Sequence, residues 1–182
     1  MKSNCVIWLT GLSASGKTTI AEALTDDLKT LGHRVEHLDG DLVRKMFPGT
    51  GFSREERDRH IKRVGYLAAL LEKHDVCVVA SFISPYREAR DFVRTQCRNF
   101  IEVYVSTPLE ECERRDPKGL YIKARSGEIS NFTGISDPYE PPEKPEIEID
   151  TTGLTVEETV EQILDKLTGI LSTDPATSRN RF

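Results

Sequence analysis

Gly11, Leu12, Ser13, Ala14, Ser15, Gly16, Lys17 and Thr18 constrain this chain more than any other stretch. They fit the spacing G-x-x-x-x-G-K-[ST], a loop that wraps phosphate oxygens. The flanks make the match specific. Cys5 to Thr10 is a short apolar, β-rich run that reads as a buried strand, and Ile20, Ala21, Leu24, Leu28 and Leu31 then recur at helical spacing. Glycines let backbone N–H groups turn inward on the phosphates. The helix N-terminus adds unpaired donors and the positive end of its dipole. Lys17 is expected to reach β- and γ-phosphates, and the Thr18 hydroxyl to bind Mg²⁺.

Strand and helix patterns alternate along the rest of the chain. Arg34–Leu38, Asp75–Phe82, Phe100–Val105 and Glu146–Asp150 read as strands, and Gly32 as the close of the first helix. Ser53 with Glu56 forms a capping box for a long helix striped by Ile61, Val64, Leu67, Ala68 and Leu71. A charged helix is expected to end near Arg98, and a short one over Leu109–Arg115, capped by Thr107 or Ser106. Val156–Leu171 closes the pattern. Such alternation implies parallel crossover units. The expected fold is α/β: a three-layer α/β/α P-loop NTPase fold with a mainly parallel sheet of about five strands. Residues 1–171 form its single domain. The stretch 116–145, rich in Gly, Pro, Ser and Asn, is expected to be irregular and to serve as a mobile lid. Residues 172–182 are expected to be a disordered tail.

Composition narrows the partners. A net charge of −5 gives no general affinity for nucleic acid or anionic membrane. Cys5, Cys77, Cys97 and Cys112 form no C-x-x-C pair, and Cys5 and Cys77 read as small core residues. This fits a reducing, cytoplasmic setting. No secretory leader is expected ahead of the first strand, and no apolar run reaches membrane-spanning length.

A phosphate loop holds a nucleoside triphosphate without naming the reaction. The guanine-reading N-K-x-D of GTP switches is absent. A small domain with a basic lid points to phosphoryl transfer onto a small acceptor, a reaction governed by positioning and charge neutralisation. Asp39-Gly40-Asp41 follows a strand, and ligands of open α/β sheets sit beyond the carboxyl ends of strands. One carboxylate is placed to orient or deprotonate an acceptor hydroxyl, the other to hold metal through water. Arg57 and His60 share a helix face, where a histidine is usually a surface residue. Phe52 and Phe132, both in loops, suit stacking on a planar acceptor or ordinary packing. The residues alone leave open another small-acceptor kinase, for a sugar acid or nucleoside, and a non-catalytic nucleotide-binding module.

Several stretches together resemble the adenylyl-sulfate kinase family, in its stand-alone form, over about residues 4 to 171. They are Gly11 through Thr19, Leu38 through Asp41 with Arg44, Gly51-Phe52-Ser53, Ser81 through Arg87, Arg115 through Tyr121, and Asn131 through Pro142. The strings Phe82–Arg87 and Phe132–Tyr139 are specific to that family; the phosphate loop is not. The resemblance implies ATP and adenylyl sulfate as substrates, Mg²⁺, and 3′-phosphoadenylyl sulfate as product. It implies nucleotide contacts from the loop through Thr19 and from Arg115. It places Phe52 and Phe132 on either side of the acceptor adenine. It gives acceptor contacts to Asp41, Arg44, Arg57, the position of His60, Ile83 and Lys118. Asp39 lies near the reacting 3′-hydroxyl, and Ser84 matches a serine described as a phosphoserine intermediate. A serine without a base beside it is a weak nucleophile and in-line transfer needs none, so Ser84 is expected to hydrogen-bond the acceptor. A homodimer is implied. Three positions depart from the family: His60 stands where Asn is common, Ala14 where Gly is, and Leu42 where Asn is. A histidine titrates near neutrality, so the His60 contact is expected to depend on pH.

Overall fold

The computed structural model describes residues 4–47 and 49–173. Among the described residues, five strands are interleaved with seven helices: β1 Val6–Thr10, α1 Lys17–Thr30, β2 Val35–Asp39, α2 Gly40–Met46, α3 Arg54–Lys73, β3 Cys77–Ser81, α4 Arg87–Gln96, β4 Phe100–Val105, α5 Leu109–Arg115, α6 Leu120–Arg125, β5 Ile147–Ile149 and α7 Val156–Thr173. All pairings are parallel, in the order β2-β3-β1-β4-β5. β1 is central and fully buried, which explains its unbroken apolar run.

Alternation along the strands sends side chains to two separate layers. Ile7, Leu9, Val79, Val103 and Ile149 pack under α1 and α7. Val6, Trp8, Val78 and Ala80 pack under α2, α3 and α4, where Trp8 stacks on Phe82 at 5.2 Å. Cys5 and Cys77 are buried core residues, and all four cysteines are free thiols. No helix among the described residues is long and apolar enough to cross a membrane.

The Ser53–Glu56 capping box is present in both directions. Three expectations change. α5 follows Pro108 with no side-chain cap, because the Thr107 hydroxyl is spent on Thr151 at 2.8 Å. The 116–145 stretch is not wholly irregular: it contains α6, whose first amides are held by the Asp116 carboxylate. α7 runs to Thr173, past the expected end of the domain. The rest of the expected tail lies outside the described residues.

Candidate active site

The phosphate loop leaves the carboxyl end of β1 and turns into α1. Two glycines make that turn. A Cβ on Gly11 would stand 2.5 Å from the Val105 carbonyl, and Gly16 holds φ 98 at the helix start. Ala14 sits at φ 59, a region that costs a residue with a Cβ about 1–2 kcal/mol. Lys17 is 8% exposed and donates to the Leu12 carbonyl and to Ser15 Oγ. Burial pulls its pKa down from 10.5 to about 8, with Lys118 adding to the effect. A phosphate in the loop would restore the charge.

Asp39 ends β2 and caps α2. Its Oδ1 accepts the amides of Asp41 and Leu42 at 2.9 and 3.0 Å. Its Oδ2 accepts from Thr18 Oγ1 at 3.2 Å and faces Ser81 Oγ at 3.5 Å. One oxygen is therefore an anchor and the other faces the phosphate loop. The capping role had a signal in the sequence, an Asp directly after a strand and before Asp41 and Arg44.

A cavity of about 700 Å³ runs across these carboxyl ends. Ser13, Ala14, Gly16, Lys17, Thr18 and Thr19 line one part, with Arg115. Asp41, Arg44, Phe52, Arg57, His60, Ile83 and Lys118 line the other, with Asp39 between. The structure thus brings together most residues singled out in the sequence. Gly11, Leu12 and Ser15 lie outside its lining. Lys118 bonds Asp41 at 2.6 Å, joining the 116–119 turn to α2. Arg44 donates to the carbonyls of Thr50 and Gly51, and its guanidinium lies 4.5 Å over the exposed Phe52 ring.

Sequence reading missed Thr151, Leu154, Thr155 and Val156, which close the phosphate-loop end of the cavity. Arg115 is bonded to the Thr151 hydroxyl and carbonyl at 2.8 and 3.0 Å. The signal was available: this turn follows β5, and the strand-end rule that singled out Asp39 applies to it too.

Three expected placements change. Phe132 is not among the residues that line the cavity; its ring packs edge-on against Tyr121 at 5.0 Å. Ser84 borders the cavity, but its Oγ accepts from Trp8 Nε1 at 3.1 Å and donates to Thr10 Oγ1 at 3.0 Å. With Phe82 O at 3.4 Å as its further partner, the hydroxyl has no base and faces the core. Its backbone is held at φ 38, which is strained for a residue with a Cβ.

His60 is the third. It is 2% exposed, between the ring edges of Phe47 and Phe82, and neither ring nitrogen has a partner. Burial, with Arg44 and Arg63 nearby, lowers its pKa from 6.5 to about 4. The imidazole is neutral at physiological pH, so the expected titration near neutrality does not occur. The unfolded chain binds this proton first as the pH falls. The stability of neutral His60 is complete above its ordinary pKa of 6.5 and is lost on the way down to about 4. His60→Asn is expected to shrink the Tm drop between pH 7 and about pH 4.5, which thermal melts would read. A drop as large as in the parent chain would mean that His60 is not the group responsible.

A glycine loop feeding a helix at the centre of a parallel sheet, with a buried lysine and a second polar lobe, defines a small P-loop kinase. The adenylylsulphate kinase family model matches residues 3–150. The adenylyl-sulfate kinase of Rippkaea orientalis is 56% identical over 162 residues, spanning 88% of this chain and 90% of that one. That of Picosynechococcus sp. is 53% identical over 163 residues, spanning 89% and 92%. Among solved structures, the APS kinase CysC of Mycobacterium tuberculosis in complex with AMPPNP and APS aligns with a TM-score of 0.87. It is 37% identical and covers 92% of this chain and 99% of that one. The chain belongs to the adenylylsulphate kinase family.

Proposed function

We propose that the chain transfers the γ-phosphoryl of ATP to the 3′-hydroxyl of adenosine 5′-phosphosulfate, giving ADP and 3′-phosphoadenylyl sulfate. The observation that carries this reading is the two-lobed cavity, with Asp39 between the phosphate loop and a lobe lined by Arg44, Phe52 and Lys118. The loop and Lys17 hold the triphosphate of the donor, and Thr151, Leu154 and Arg115 border its far end. The basic residues of the other lobe suit the phosphosulfate of the acceptor, and Phe52 offers a ring face to its adenine.

Mg²⁺ fits the residues present. Thr18 Oγ1 would hold it beside the phosphate loop, and Asp39 Oδ2, 3.2 Å from that hydroxyl, would face its water shell and stay free to act as base. Magnesium is commonly held by few protein oxygens, with phosphates and waters completing its shell. When bound, it neutralises charge on the β- and γ-phosphates. Asp39 orients the 3′-hydroxyl and takes its proton as the oxygen attacks the γ-phosphorus and the bond to the β-phosphate oxygen breaks. The 116–145 segment is read as the cover that keeps water from competing; the Lys118–Asp41 pair supports this.

The test is ADP release from MgATP with adenylyl sulfate, beside AMP, gluconate and a blank without acceptor. Fast release only with adenylyl sulfate is expected. Equal release in the blank would make the chain an ATPase, and preference for gluconate would move it to another small-acceptor kinase.

A further inference from the structure

Arg57 spends one N–H from each of its three nitrogens on groups of this chain. Its Nε donates to the Phe52 carbonyl at 2.8 Å, its Nη1 to Thr133 Oγ1 at 2.6 Å, and its Nη2 to the Asn131 carbonyl. The Asp137 carboxylate lies 3.9 Å away. Arg57 is 9% exposed and Thr133 2%, so these charge-assisted bonds face little competition from water.

The loop on the far side of this contact is closed on itself. The Phe132 carbonyl accepts the amides of Ile135, Ser136 and Asp137, each at 3.0 Å. The Phe132 amide donates to Ser136 Oγ at 2.9 Å, and Gly134 N to the Asp137 carbonyl at 2.7 Å. Such a loop moves as one piece. Wherever Arg57 holds Asn131 and Thr133, it also sets where Phe132 stands relative to Phe52. Phe132 in turn packs on Tyr121, whose hydroxyl donates to the Ser13 carbonyl of the phosphate loop at 3.0 Å.

We propose that Thr133 is a positioning residue for the acceptor lobe. Through Arg57 it fastens the 131–137 loop to the Phe52 turn, so one guanidinium fixes the spacing of both phenylalanine-bearing loops before any acceptor arrives. This rests on reading that lobe as the acceptor site. Thr133 touches no reacting atom in the scheme; it acts through Arg57. Its hydroxyl is the one hydrogen-bond acceptor of the clasp that a near-isosteric change removes, since the Phe52 and Asn131 acceptors are backbone carbonyls.

Thr133→Val keeps the shape and deletes the oxygen, while Thr133→Ser keeps the oxygen. Amide exchange of the chain without substrate reads the clasp directly. In Thr133→Val, exchange is expected to quicken both at residues 135–137 and at residues 51–53, with Thr133→Ser like the parent. In the kinetic arm, Thr133→Val is expected to raise the KM for adenylyl sulfate about tenfold or more, the worth of a hydrogen bond to a charged group. KM for ATP and kcat should change far less, and Thr133→Ser should restore the acceptor KM. Faster exchange at 135–137 alone overturns the clasp, whatever the acceptor is. A rise of both KM values together, or a serine variant as impaired as the valine, reduces Thr133 to a packing residue and overturns its role. A parent chain that does not turn over adenylyl sulfate overturns the acceptor reading and the role with it, even where both loops loosen together.

Discussion

Asp39→Asn is expected to lower kcat by about 10²–10⁴-fold, the range over which a positioned general base acts. The fold should tolerate the change. Asparagine is as good an N-cap as aspartate, and its side-chain carbonyl can still accept the amides of Asp41 and Leu42 that Oδ1 accepts now. What disappears is the negative oxygen facing Thr18. Steady-state kinetics with a melting curve separate the two functions of the side chain. A large loss in kcat with nearly unchanged Tm and acceptor KM supports the base. A loss confined to KM would make Asp39 a binding residue only. Asp39→Ala serves as the contrast, since it loses the cap as well and should cost about 1 kcal/mol of stability.

Lys17→Ala is expected to lower kcat/KM for ATP by about 10²–10³-fold, the usual cost of removing one donor aimed at developing transition-state charge. Stability should not fall in step. In the chain without nucleotide, Lys17 is a buried cation whose pKa is held down to about 8 by desolvation, and its hydrogen-bond partners among the described residues are neutral oxygens of its own loop. Removing such a charge relieves a burial cost. The alanine chain should therefore melt at or above the parent temperature while its turnover collapses. A melting temperature that fell together with activity would mean that Lys17 holds the loop in shape and would remove the catalytic reading.

The fold and the phosphate side of the cavity were legible because local spacing determines them. Gly11, Gly16, Lys17 and Thr18 fall within one short stretch of sequence, and the strand before them is buried on both faces. The capping box at Ser53 was legible for the same reason, since its partners are three residues apart. What local pattern cannot show is which way a side chain faces when its partners are remote. Arg57 meets Asn131 and Thr133, more than seventy positions away. Ser84, just past β3, turns toward Trp8 and Thr10 of the neighbouring strand β1. His60 reads as a surface residue by its helix position, yet the aromatic rings that bury it come from a turn after α2 and from the end of β3. The resemblance supplied residue identities at these positions, but not the hydrogen bonds that now occupy Arg57 and Ser84.

The two apolar layers of the sheet have a consequence for how such a chain can diverge. The phosphate loop and α1 rest on the layer shared with α7, while Asp41, Arg44, Arg57 and His60 stand on helices of the opposite layer. The layers meet through alternate residues of the same strands and, at the carboxyl ends, through contacts such as Thr18 with Asp39. Substitutions more than about 7–10 Å apart with no shared partner act nearly independently. Changes under α3 and α4 can therefore accumulate without retuning the loop on the other face. Descent with a new acceptor requires rewriting one side of the sheet, and the half of the molecule that grips the phosphates can be inherited intact.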